Sequence, residues 1–248
     1  MIPPRPHLLA AAIATDNYPF AWDAWEADEY FMTDDGQDDR LERLTLKARL
    51  GLLIASAEWV VHRFSASGQH LRAAQYLEAA WAGAVHPAYC AWVDLEEGDW
   101  AGPVLGPMRS AITLVNEGLH DLGTQPDPGR QAVWMRNLVR HVVGNTAAFD
   151  RWWSACIERL LLVHAIDVEL AGQKPDLFEN FPTMGAPVPQ AAYDPSTPYV
   201  PAHNAAEWDR YLQGLDASTN PFLTPPEELP DDGRLPGPPY RYLPGQTP

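Results

Sequence analysis

Through the first two thirds of the chain, apolar residues recur at three- and four-residue steps. In the last third that rhythm is lost. The strongest run is Asp38 to Phe64, DDRLERLTLKARLGLLIASAEWVVHRF, which has no internal proline and a single glycine, Gly51. Leu46, Leu50, Leu53, Ile54, Ala57, Val60, Val61 and Phe64 follow the helical period. From Leu50 to Val61 the run is apolar almost all round, the mark of a helix enclosed by others rather than lying on them. Asp39 and Glu42 have the spacing of a capping box, and Gly68 lies just past the end. The pattern predicts one buried central helix over 38–64.

Weaker helical periods flank it. Leu8 to Ala14 reads as a short helix, and FAWDAWEADEYF (20–31) as an amphipathic helix with Trp22, Trp25 and Glu29 on one face. After Gly68 an alanine-rich helix with Leu71, Ala74, Leu77, Ala80 and Trp81 as its stripe runs to His86, where Pro87 stops it. Further helices are expected from Pro107 to Leu122, from Arg130 to Val143, and from Asn145 or Thr146 to a break at Gly172 and Pro175. The fold class is therefore all-α, a bundle of about five to seven helices around 38–64.

Beyond Gly172 the grammar changes. Residues 173–248 hold sixteen of the 25 prolines. Proline lacks the N–H that helices and central strands need, so this part is mostly non-regular. One helix is expected within it, Asn204 to Leu215. Aromatic residues recur as anchors, among them Phe178, Tyr193, Tyr199, Phe222 and Tyr240. The organisation is a helical domain over 1–172 and a proline-rich extended arm over 173–248, packed on the helical domain in polyproline-like segments.

Charge follows the same division. Residues 1–42 hold ten acids against Arg5 and Arg40, net −8; residues 43–167 net −1; residues 168–248 net −7; together −16. Such a surface is repelled by phosphate backbones, so direct nucleic-acid binding is not expected. It would steer a basic protein toward itself. No run approaches the roughly 20 apolar residues of a membrane span. The seven-residue apolar run at Leu8–Ala14 is a weak match to a signal peptide. A cytoplasmic location with no membrane contact is the expectation. Fifteen arginines against two lysines suggest a GC-rich bacterial source, an inference from codon bias.

Candidate chemistry is sparse. Cys90 and Cys156 sit in apolar contexts as inert thiols, and no G-x-S-x-G, P-loop or dinucleotide fingerprint is present. Glu58 with His62 and Glu117 with His120 have some likeness to the carboxylate–histidine pairs of di-iron bundles. Only the second pair has the right spacing, and the further glutamates are missing. Arg136, Arg140 and His141 share one helix side, where they would pair with the chain's own acids. No cofactor or metal is expected. The leading site is the acidic stretch with its tryptophans: Trp22, Trp25, Asp28, Glu29, Asp34, Asp35, Asp38 and Asp39 would dock a basic partner protein. That is how immunity proteins neutralise basic toxins, and a chaperone-like role follows the same logic. The alternatives are a metal- or ligand-binding bundle enzyme and a structural subunit whose arm wraps a neighbour.

Overall fold

The computed structural model describes residues 5–22, 38–124, 127–166, 169, 181, 183–229 and 240–242. Among them are eight α-helices and no strand. Five long helices form the body: α3 (Leu46–Arg63), α4 (Leu71–Val85), α5 (Gly102–His120), α6 (Pro128–Val143) and α7 (Ala147–Leu161). The short ones are α1 (Pro6–Ala11), α2 (Asp39–Glu42) and α8 (Asn204–Gln213). The architecture is an all-α bundle with a largely non-regular C-terminal arm. α3 lies at its centre, packed along α6, α5 and α4.

α3 is interior because it is apolar on every side. Leu50, Leu52, Leu53, Ile54, Ala55, Ala57 and Val60 are all fully buried. Its polar residues are answered locally. The Ser56 hydroxyl donates to Leu52 O at 2.7 Å. The buried Lys47 amine donates to Ala84 O at 2.7 Å, at the carbonyl-rich end of α4. Arg63 donates to Val142 O (3.0 Å) and Thr15 O (2.7 Å), which ties the segment before α2 to α6.

The central run is two helices, not one. Asp38 caps the single turn of α2, and Thr45 caps α3, accepting from Ala48 N at 3.3 Å. Between them the backbone turns away from the helical ladder to pair with 164–166. Thr45 N donates to His164 O (3.0 Å) and Ile166 N to Arg43 O (2.8 Å). The same pairing stops α7 at Leu161, well short of Gly172. In the other direction α5 begins at Gly102 and carries Pro107 inside it, without the intrahelical bond that an N–H there would make.

The arm is fastened to the body by polar contacts as well as apolar ones. The first turn of α3 has orphan N–H groups, and two find arm carbonyls: Leu46 N donates to Thr183 O (2.9 Å) and Lys47 N to Met184 O (3.0 Å). Tyr193 is buried with its hydroxyl donating to Ala48 O (3.0 Å). It lies over Gly51, where any β-carbon would overlap the phenol ring. In return the body serves the arm's carbonyls: Trp152 Nε1 donates to Tyr193 O (2.8 Å) and Arg159 to Asp194 O (2.8 Å) and Thr197 O (2.9 Å).

Candidate functional site

Three residues of the expected partner-binding stretch are described. Trp22 is half-buried: it packs on the core, over Gly106 of α5 and beside His141. Asp38 pairs with Arg40 (2.6 Å) and accepts from the Trp153 indole (3.3 Å). Burial pushes its carboxyl up, but the hydrogen bonds from Arg40 and Trp153 outweigh that and hold it below the usual range. Asp39 is exposed in the first turn of α2. Trp25, Asp28, Glu29, Asp34 and Asp35 lie outside the described residues.

The glutamate–histidine pairs do not converge. Glu58 takes two hydrogen bonds from Arg5 (2.6 and 2.9 Å) and one from the Trp81 indole (2.8 Å). His120 meets the edge of Trp92 at 5.3 Å. Among the described residues no three His, Cys, Asp or Glu side chains are grouped to hold a metal ion. Arg140 pairs with Asp150 (3.6 Å), and Arg136 lies over the Trp153 ring. Both thiols are buried, and burial pushes Cys90 up to about 12.

A second acidic surface is fully described. Trp92 is 57% exposed, and the loop after it presents Asp94, Glu96, Glu97 and Asp99 to solvent. Trp100 pegs the far end of that loop into the body, with Arg72 over its ring. Asp121, exposed at the end of α5, adds charge beside His120 and Glu117. Burial and the neighbouring Asp121 raise the Glu117 carboxyl above its usual range. The sequence shows both the tryptophan and the DLEEGD run. Only the fold shows that the indole stays outside.

This negative surface is sharpened by where the cations go. Lys47, Arg49, Arg63 and Arg159 all direct N–H groups at backbone carbonyls rather than carboxylates. They stabilise the interior and are not spent on the acids after Trp92, of which Glu97 alone has an ion-pair contact among the described residues, with Arg109 at 3.9 Å.

The third region is a cleft of about 470 Å³ where the start of α1 meets the arm and α8. Arg5, Asp194, Glu207, Arg210 and Tyr211 line it. Beside it, His7 Nδ1 lies 3.4 Å from Asp194 Oδ1, and the His7 ring stacks on Trp152 at 5.5 Å. Burial pulls the imidazole below its ordinary value despite Asp194, so His7 is neutral at neutral pH. Burial also acts to raise the Asp194 carboxyl, but hydrogen bonds from Ser196 and the His7 contact overcome it and keep the group ionised. Arg5, His7 and Asp194 come from opposite ends of the chain, so no local spacing announces them. No protein-family model, curated protein or solved structure matches this chain.

Proposed function

We propose that the protein is a binding protein whose acidic, tryptophan-bearing surface holds a basic partner protein. The observation that supports this most is the exposed Trp92 set among outward-facing Asp94, Glu96, Glu97 and Asp99, while four cations, two of them buried and two half-buried, are committed to carbonyls. An exposed indole is a typical hot-spot anchor, and a ring of carboxylates gives both steering and selection for a basic surface. The acidic stretch from Trp22 to Glu42 adds to the same field. Neutralisation of a basic toxin, or chaperoning of a basic client, is the biological role this reading favours. It requires no catalytic group.

Affinity capture at low and high salt, with Trp92→Ala and Glu96→Lys/Glu97→Lys as controls, tests the reading. One basic protein held at low salt is expected. It should be released at high salt and weakened at least roughly tenfold by either variant. Substituting Asp34, Asp35, Asp38 and Asp39 by Asn or Ser measures the share of the N-terminal stretch. Retention indifferent to salt and to all these changes would overturn the reading.

A further inference from the structure

We propose that the cleft between α1, the arm and α8 is a binding site for a small zwitterion, a molecule of the α-amino acid class that carries both an ammonium and a carboxylate group. The inference is independent of the basic-partner reading, which needs no pocket. At about 470 Å³ the cleft has the size of a small-molecule site.

Its polar groups are left half-used in a particular way. The Asp194 side chain is only 7% exposed. One of its oxygens takes the Ser196 N–H (3.0 Å), the Ser196 hydroxyl and the His7 contact. Its other oxygen has no hydrogen-bond partner among the described residues. A nine-tenths buried, ionised carboxylate with an open oxygen favours a cationic donor. The cations nearest to it are committed elsewhere: Arg5 is held by Glu58 through two nitrogens, and Arg159 by the carbonyls of Ala191, Asp194 and Thr197.

Other groups lining the cleft supply the complement. Arg210 lines the cleft, is exposed, and has no ion-pair partner among the described residues. One end of the Gln190 amide is buried there without a hydrogen bond. Both can donate to a ligand carboxylate without breaking an existing contact. Counting Arg5 and Arg210 against Asp194 and Glu207, the lining is charge-balanced. A ligand of net charge gains from one pair of groups what it loses to the other, whereas a zwitterion satisfies both. Pro6, Pro189 and Ala191 give the apolar wall for the ligand's carbon skeleton.

Calorimetry and saturation-transfer NMR of the full chain against the twenty standard amino acids test this. For any that binds, the matched amine lacking the carboxylate and the matched acid lacking the ammonium are then compared. At least one amino acid is expected to bind, and removing either charged group should weaken it at least about tenfold. Arg210→Ala and Asp194→Asn should each do the same. Asp194 also holds its own turn, so Asp194→Asn is exposed to misfolding. Arg210 is exposed and Glu207 half-buried, neither in the core, so Arg210→Ala and Glu207→Gln keep the test decisive. Absence of binding by every amino acid up to about 10 mM would overturn the proposal. So would an amine or acid that binds as tightly as its parent, or wild-type binding by both α8 variants.

Discussion

The central helix and the C-terminal arm are buried by opposite means. α3 satisfies its own backbone through the helical ladder and presents apolar side chains on every side, so its stability comes from continuous packing. The arm has little ladder. Its carbonyls are met one at a time by body side chains, Trp152 Nε1 to Tyr193 O and Arg159 to Asp194 O and Thr197 O. Its own anchors reach back, Tyr193 to Ala48 O and the Tyr211 hydroxyl to Glu78 O. A proline-rich segment can thus be held against a helical body without a ladder of its own, where partner side chains replace the missing backbone bonds. It also follows that the arm depends on few residues and the helix on many.

The sharpest way to break that comparison is to remove the arm's deepest anchor. Tyr193→Ala deletes a fully buried ring and the hydroxyl that caps Ala48 O, and should cost about 3–5 kcal/mol in denaturant unfolding. Leu53→Ala in α3 falls in the same class, at about 2–5 kcal/mol. The difference lies in what opens. Tyr193→Ala should make residues 183–229 a protease target under native conditions while helical circular dichroism persists. Leu53→Ala should lower both together. If Tyr193→Ala costs under about 1 kcal/mol, the arm is not anchored as described.

The same contact can be approached from the helix. Gly51→Ala places a β-carbon where the Tyr193 phenol lies, so either the ring or the arm must shift. Overpacking of this kind should cost about 1–3 kcal/mol despite the better helix propensity of alanine. Pairing Gly51→Ala with Tyr193→Ala checks the cause: with the ring gone the clash is gone, and the double variant should be no worse than Tyr193→Ala alone.

These two residues also show how far the sequence could be read. Periodicity marks α3, α4, α6 and α8 because each buries one face or all faces of a regular helix, and that is a local property. Gly51 looks like a minor flaw in the best helix of the chain. Its reason, a tyrosine far along the sequence, is not local at all. The division at 43–45 was hidden for the same cause: the backbone there pairs with 164–166, and nothing in RLT forbids continuing the helix. The proline-rich composition announced the arm and its aromatic anchors but not their docking points. For the sites, the acidic loop after Trp92 was visible as a loop, while the exposure of the indole was not. The Arg5–Glu58 and His7–Asp194 pairings join distant segments and were beyond any spacing rule.

A smaller effect tests the buried cations, which distinguish the body from the arm in another way. Burial lowers the Lys47 amine from its usual 10.5 to about 7. Between those values the unfolded chain binds a proton that the folded chain does not, so stability rises with pH across that window. From pH 7 to pH 9 the gain should be about 2 kcal/mol, read from urea midpoints. Above pH 9 the sign reverses. Burial raises the Cys90 and Cys156 thiols in the folded state, so the unfolded chain loses their protons first. Stability should therefore peak near pH 9. Lys47→Met should flatten the rise between pH 7 and pH 9 and leave the fall above it. A rise that persists in Lys47→Met would assign it to another group.

The smallest expected effect lies at the junction itself, where the first turn of α3 receives both its own cap and the arm. Thr45→Ala removes the oxygen that accepts from Ala48 N and should cost about 1 kcal/mol. The loss is limited because Leu46 N and Lys47 N are held by Thr183 O and Met184 O, which do not involve the Thr45 side chain. Thr45 also packs against Gly185, which has φ +72° and no room for a β-carbon on that side. Thr45→Ser separates the two roles, since it keeps the capping oxygen and loses only the methyl group. If the cap dominates, Thr45→Ser should recover most of the loss. If serine and alanine cost the same, it is the packing of the arm on Thr45, and not the helix's own capping, that sets the start of α3.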